Sequence, residues 1–93
     1  MAYRQGDIIV PVVNLNGSSA DSLIQGYADA LDALRDAIAA MRQITPHGRD
    51  YQTEERTVLI GAQNQHEARL QALDNIYREL QFIAGAIWEQ KRK

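Results

Sequence analysis

Apolar residues recur every three or four positions over two long stretches of the chain, and a short segment between them breaks the rhythm. In residues 19–44 this row comprises Ile24, Tyr27, Leu31, Leu34, Ile38 and Met41. Steps of three and four bring side chains to one face of an α-helix, so residues 19–44 are predicted to form helix 1. Ser18 and Ser19 are suited to cap its start.

A second apolar row lies beside the first on helix 1. It keeps the same rhythm and comprises Leu23, Tyr27, Ala30, Leu34, Ala37, Met41 and Ile44. The two rows together make an apolar face wider than one partner helix can cover. Helix 1 is therefore predicted to have two helical neighbours, with its charged residues on the remaining, solvated face.

Helix 2 is predicted over residues 54–91, where apolar positions repeat every seven residues. The repeat joins Leu59, His66, Leu73, Leu80 and Ile87. Between them fall Ala62, Arg69, Ile76 and Ile83, with Leu70, Tyr77 and Ala84 alongside. This spacing is typical of a coiled-coil-like face.

Two other segments lack helical periodicity. Residues 45–53, which hold a proline and a glycine, are predicted to form the loop between the helices. Residues 1–18 are predicted to be an extended arm and a turn. The β-branched run Ile8–Val13 contains Pro11, which suits only an edge strand or an irregular segment. Whether this run pairs as a strand stays open.

These elements predict an all-α fold: a single domain over residues 1–93, built as a long antiparallel two-helix hairpin with a short extended N-terminal arm. From the helical rise, helix 1 spans about 39 Å and helix 2 about 55 Å, which leaves roughly 16 Å of helix 2 uncovered. We expect this overhang to hold Phe82, Ile83, Ile87 and Trp88 and to be covered by the arm or by another subunit. The chain is thus predicted to form a homo-oligomeric helical bundle, at least a dimer.

Composition and charge indicate the compartment of the protein and exclude some classes of partner. The chain has no cysteine, which removes disulfides and thiolate chemistry and fits the cytoplasm. Its formal charge is −2, so no overall field attracts duplex nucleic acid. No apolar run approaches the ~20 residues of a membrane helix, and no signal-peptide pattern begins the chain. We therefore expect a cytoplasmic protein that binds neither duplex nucleic acid nor a membrane.

One loop concentrates groups that can hold an anion. Arg49 offers a guanidinium fork and His47 an imidazole. Tyr51 adds a phenol, and Gly48, beside Asp50, lets the backbone approach a ligand. In the alternative interpretation, Arg49 pairs with Asp50 or a neighbouring glutamate and Tyr51 packs beneath, which makes the motif structural.

Four more residues complete the candidate ligand-binding set. Asn16 and Gly17 form a turn before helix 1 whose backbone N–H groups suit an anion, although a plain helix cap also explains them. His66 and Arg69 fall in the apolar face of helix 2 and either line a polar ligand floor or are satisfied locally. The turn and the loop lie at opposite ends of helix 1, so a site that unites them needs two antiparallel subunits.

The sequence has no pattern of a catalytic or metal centre. Its two histidines lie nineteen residues apart, without H-E-x-x-H spacing and without a nucleophile elbow. A two-helix hairpin also offers little of the concave volume that active sites need. We therefore expect a non-enzymatic protein with no cofactor and no metal.

The segments N-L-N-G at Asn14–Gly17 and P-H-G-R-D-Y at Pro46–Tyr51 resemble a pattern in small helical proteins of phages and prophages. The resemblance implies a protein of the host cytosol that binds host factors or small signals, which favours a counter-defence role. We predict a non-enzymatic oligomer that sequesters an anionic, nucleotide-type signal at sites between subunits. The alternative is a protein–protein interaction module, an inhibitor of a host defence protein or an assembly factor, that uses its exposed helix faces.

Overall fold

The protein is a helical hairpin preceded by a short β-hairpin. The computed structural model describes residues 3–5, 8–13, 19–52 and 55–92. In chain order the elements are β1 (Tyr3–Gln5), β2 (Ile8–Val10), α1 (Ala20–Arg42), a 3-10 helix (Gly48–Tyr51) and α2 (Arg56–Arg92). The predicted pair of long helices is confirmed, with boundaries within two residues of the predicted ones.

Local capping explains where α1 begins and ends. The Ser19 side chain accepts a hydrogen bond from the backbone N–H of Ser22 at 3.0 Å, as an N-cap residue does. At the other end the backbone N–H of Gln43 donates to Ala40 O at 3.1 Å, and the Thr45 hydroxyl donates to Arg42 O at 2.8 Å. The last carbonyls of α1 therefore have partners before Pro46 ends the helix.

Three contacts fix the register of the hairpin. Lys91 forms an ion pair with Asp21 at one end of α1. Arg35 Nη2 donates to Tyr77 Oη at 2.9 Å near the middle, and Arg42 lies beside Asp74 at the other end. Helix α1 therefore runs antiparallel along residues 70–92 of α2. Residues 56–69, about 21 Å of helix, extend beyond it.

The overhang of α2 thus lies at its N-terminal end, and the prediction that it holds Phe82, Ile83, Ile87 and Trp88 is wrong. The reason is the path of the connection between the helices. Instead of turning back at the end of α1, it continues along the start of α2. Gln63 Nε2 donates to Pro46 O at 3.4 Å, and the 3-10 helix packs against α2.

The N-terminal arm packs on the C-terminal end of α2. Strands β1 and β2 are antiparallel, with Tyr3 opposite Val10. Gln90 of α2 holds the segment after β2: its Nε2 donates to Pro11 O at 2.8 Å, and its Oε1 accepts from the N–H of Val13 at 2.7 Å. Val10 and Ile87 are both 0% exposed. The arm therefore covers Ile87, and part of the predicted arm is a strand.

The inward row of α2 keeps the five positions of the predicted seven-residue repeat and differs from the prediction only at flanking positions. It comprises Leu59, Ala62, His66, Leu70, Leu73, Tyr77, Leu80, Ala84 and Ile87, which are half-buried or buried. Arg69 and Ile76 are exposed, so their placement in the apolar face towards helix 1 is wrong. Leu70 and Tyr77, which were predicted alongside the repeat, share the inward row with it, whereas their neighbours Arg69 and Ile76 face outward.

The core of a single chain is thin. Among the described residues only Val10, Ile87 and His66 are buried. The accessible surface is 7068 Å², whereas a compact protein of this mass exposes about 5,400 Å². The radius of gyration is 18.8 Å, against about 12 Å for a compact chain of this length.

Candidate functional site

A concave surface lies where α1 ends and the connection begins. The cavity has a volume of about 540 Å³. Its lining comprises Arg42, Gln43, Ile44, Thr45, Pro46, His47, Arg49 and Asp50. Three of the predicted loop residues, His47, Arg49 and Asp50, therefore line the same cavity.

His47 accepts two backbone hydrogen bonds within the loop. Its Nδ1 accepts a hydrogen bond from the backbone N–H of Arg49 at 3.3 Å, and its carbonyl accepts from the N–H of Asp50 at 2.9 Å. These bonds make His47 the N-cap of the 3-10 helix. A neutral imidazole whose Nδ1 accepts carries its proton on Nε2, so the exposed ring retains one donor for a ligand.

Two guanidinium groups line this cavity and carry more charge than its acidic residue. Arg42 and Arg49 are both exposed, and Asp50 is the carboxylate in the lining. In the described parts of the chain, no ion pair involves Arg42, Arg49 or Asp50. The Arg49–Asp50 pair of the structural interpretation is therefore not formed. A pair with Glu54 would lie outside the described residues, while the half-buried Tyr51 agrees with packing beneath the loop.

The C-terminal end of a helix carries a partial negative charge, which disfavours an anion. Here the carbonyls of Ala40, Met41 and Arg42 already accept hydrogen bonds from the N–H groups of Gln43, Ile44 and Thr45. Their acceptor capacity is thus partly used. Arg42, in the same last turn, adds a full positive charge at the cavity.

Gly48 lies against α2. Its φ lies outside the left-handed region, and a β-carbon there would meet Leu59 Cδ2 at 3.8 Å, an ordinary contact. The backbone conformation therefore does not require glycine at this position, contrary to the expected role of a permissive backbone. Gly48 also lies outside the lining of the cavity.

The remaining predicted site residues are scattered. His66 is 5% exposed on α2, one turn beyond Gln63, and its Nε2 has no hydrogen-bond partner among the described residues. Arg69 is exposed and lies outside the cavity lining. Asn16 and Gly17 lie outside the described residues. A common site for all nine candidates is therefore not formed by the described part of one chain.

Arg42 is the charged lining residue that sequence reasoning left out of the set. It flanks the loop in the sequence, but its helical periodicity placed it on the solvated face of helix 1. The signal that could have included it is its position in the last turn, directly before a proline-containing loop with a second arginine.

Comparison with protein-family models, with curated proteins and with solved structures gives no match for this chain. Within the described residues, no helix combines the length and apolarity needed to cross a membrane. The same residues contain no cluster of three or more histidine, aspartate or glutamate side chains placed to hold a metal ion.

Proposed function

We propose that the protein is a non-enzymatic, oligomeric binding protein that captures an anionic small molecule of the nucleotide type in the cavity of residues 42–50. The observation that carries this proposal is the pair of guanidinium groups of Arg42 and Arg49 in one cavity, where no carboxylate among the described residues pairs with them. Guanidinium forks match phosphate oxygens in geometry and charge.

The size of the cavity supports a small molecule as the ligand. Its volume of about 540 Å³ falls within the range of about 300–1,000 Å³ that is usual for ligand sites. Arg42 and Arg49 would bind phosphate oxygens, and His47 would donate from Nε2. Because the cavity is open, a second subunit would be needed to enclose the rest of the ligand. This supports sites between subunits.

The proposed role is sequestration. The ligand would bind non-covalently and leave unchanged, so the protein would lower the free concentration of a signal. The resemblance to small phage and prophage proteins favours a counter-defence role, in which the signal would be a nucleotide used by the host.

Isothermal titration calorimetry against linear and cyclic nucleotides tests the proposal. We expect at least one to bind with measurable heat. Arg49→Ala should raise its Kd by about 10-fold to 100-fold, because a hydrogen bond to a charged group contributes about 1.5–3 kcal/mol. Arg78→Ala is the matched control, since Arg78 is exposed and paired with Asp74 at 3.0 Å outside the cavity.

Two results would count against nucleotide capture. One is the absence of heat across the whole panel with the unaltered protein. The other is equal weakening by Arg49→Ala and Arg78→Ala, which would indicate attraction by overall charge and not a site.

The alternative proposal is a protein-interaction module. Trp88 is 47% exposed, with Lys91 Nζ at 5.0 Å from its ring centroid, so it is available to a partner. Ile87 is covered by the arm and Phe82 and Ile83 are half-buried, which narrows the predicted docking surface to Trp88 and its neighbours. Trp88→Ala would then abolish capture of a host protein and leave nucleotide binding unchanged.

A further inference from the structure

The two sides of the helical hairpin differ in chemistry. One side carries Arg35, bonded to Tyr77, and a polar cavity lined by Arg42, Glu67, Leu70, Gln71 and Asp74. The hydrogen bond to Tyr77 raises the pKa of Arg35. The opposite side carries an open groove of about 240 Å³, lined by Ser22, Leu23, Gly26, Tyr27, Ala30 and Leu80. The groove lining therefore contains no charged residue, whereas the polar cavity on the other side holds three.

The groove belongs to a longer apolar side. The row of lining residues continues along α1 at helical steps through Ala33 and Ala37 and ends at Ile44, two residues beyond the helix. From Leu23 to Ile44 this row contains no charged residue. On α2, Ile76 lies one turn before Leu80, and both it and the more distant Val58 face outward. Ile44 is 69% exposed and Ile76 is 44% exposed. We call this surface, with its α1 row and Ile76, the apolar side.

The exposed area is sufficient for a stable interface. The chain exposes 7068 Å², about 1,600 Å² more than a compact protein of its mass. A stable protein–protein contact buries about 800 Å² on each partner. One interface of this size would remove about half of the excess.

The α1 row is self-complementary. Leu23 and Ile44 are equally distant from its midpoint between Ala33 and Leu34, and so are Ala30 and Ala37. A two-fold axis through this midpoint would align two α1 helices antiparallel. It would bring Ile44 of each copy onto the groove at Leu23 and Gly26 of the other, while the alanines between them would permit close approach of the two backbones.

We propose that the occupant of the apolar side is a second copy of this chain, bound through antiparallel α1 helices about an axis near Ala33. This deepens the proposed function by naming the surface through which the copies pair, but it does not depend on the ligand. The geometry also brings the cavity of one copy near the start of the other copy's α1, where a composite site would form.

Sedimentation velocity over a dilution series tests the surface. We expect the unaltered protein to sediment as a dimer, or as a larger assembly with an even number of chains. Ala33→Glu should raise the dimer Kd by at least about 100-fold, because it places two like charges beside the axis. Ala39→Glu is the matched control: Ala39 is also an exposed alanine of α1, but it lies on the polar side near Arg35 and Arg42.

A cross-link tests the register. The chain has no cysteine, so a single introduced thiol can pair only with its copy. Ala33→Cys should form a disulfide-linked dimer on mild oxidation, because residues beside the axis fall within the Cα–Cα range of about 4.4–6.8 Å that a disulfide needs. Ala39→Cys should remain a monomer in a denaturing gel.

Three outcomes would overturn the proposal. They are a monomeric unaltered protein at micromolar concentration, an Ala33→Glu variant that stays dimeric, and a cross-link at position 39 in place of position 33. None of them involves the nucleotide, so they are distinct from a failed titration. A dimer with no nucleotide heat would support this interface and contradict the proposed ligand.

Discussion

The two ends of α2 are covered in different ways. At the C-terminal end, α1 packs on one face and β2 on another, and Gln90 bonds to the arm at both Pro11 and Val13. There Ile87 is fully buried. At the N-terminal end, among the described residues, the connection and the 3-10 helix lie on α2, and the outward-facing Val58 and Ile60 are 45% and 44% exposed. The inward Leu59 at this end is only half-buried, in contrast to Ile87.

The thinly covered end is also where the candidate site lies. The cavity of residues 42–50 borders the connection, whose link to α2 includes the long Gln63–Pro46 hydrogen bond of 3.4 Å. Regions with few buried apolar contacts open at low free energy, and ligand-binding loops are often found in them. The C-terminal end therefore holds the well-buried part of the hairpin, and the N-terminal end would provide the surface for the proposed ligand.

The largest expected effect comes from breaking the well-covered end. Ile87→Ala should lower the free energy of unfolding by about 2–5 kcal/mol, because it removes buried methylene groups and leaves a cavity. Urea unfolding followed by far-UV circular dichroism measures the loss. All variants are compared at one protein concentration, since association shifts apparent stability.

Ile60→Ala is the matched control at the other end of α2. Because Ile60 is exposed, we expect a loss of about 0.5 kcal/mol or less in the same assay. Equal losses for the two variants would mean that the ends of α2 are equally covered in solution, and the comparison would fail.

The sequence was informative where the structure depends on local periodicity. Steps of three and four residues predicted α1 and α2 and the inward positions of Leu31 and Leu34. The second row of helix 1 also predicted a face that one partner cannot cover, and Ile44 is left exposed by the hairpin. The exposure of Arg69 and Ile76 was missed, because periodicity alone did not decide whether they or their neighbours Leu70 and Tyr77 share the inward row with the seven-residue repeat.

The path of the connection could not be read from periodicity. A loop of this length can turn back sharply or run along the next helix, and only tertiary contacts such as that between Gln63 and Pro46 distinguish the two. That choice reversed the end at which the overhang lies. For the same reason the clustering of His47 and Arg49 was predictable from their spacing, whereas the participation of Arg42 depended on how the chain leaves α1.

The second largest expected effect is a gain in stability, in contrast to the loss expected for Ile87→Ala. His66→Leu should raise the free energy of unfolding by about 1–3 kcal/mol, because it replaces a buried polar atom without a partner by an apolar group of similar size. The urea midpoint should increase. His47→Leu is the control, since that ring is exposed and caps the 3-10 helix, and it should give no gain. A lower midpoint for His66→Leu would mean that Nε2 has a partner in solution.

The smallest expected effect is that of a substitution at Gly48, beside the N-terminal end of α2. Gly48→Ala should leave stability unchanged or raise it by about 0.4–1 kcal/mol. The native φ suits any L-residue, the new methyl group has room beside Leu59, and alanine reduces the entropy of the unfolded chain. Nucleotide titration should be unaffected as well, because Gly48 is absent from the cavity lining. If Gly48→Ala weakened binding without loss of stability, the ligand would approach the backbone at this position, and the site would extend from the cavity towards α2.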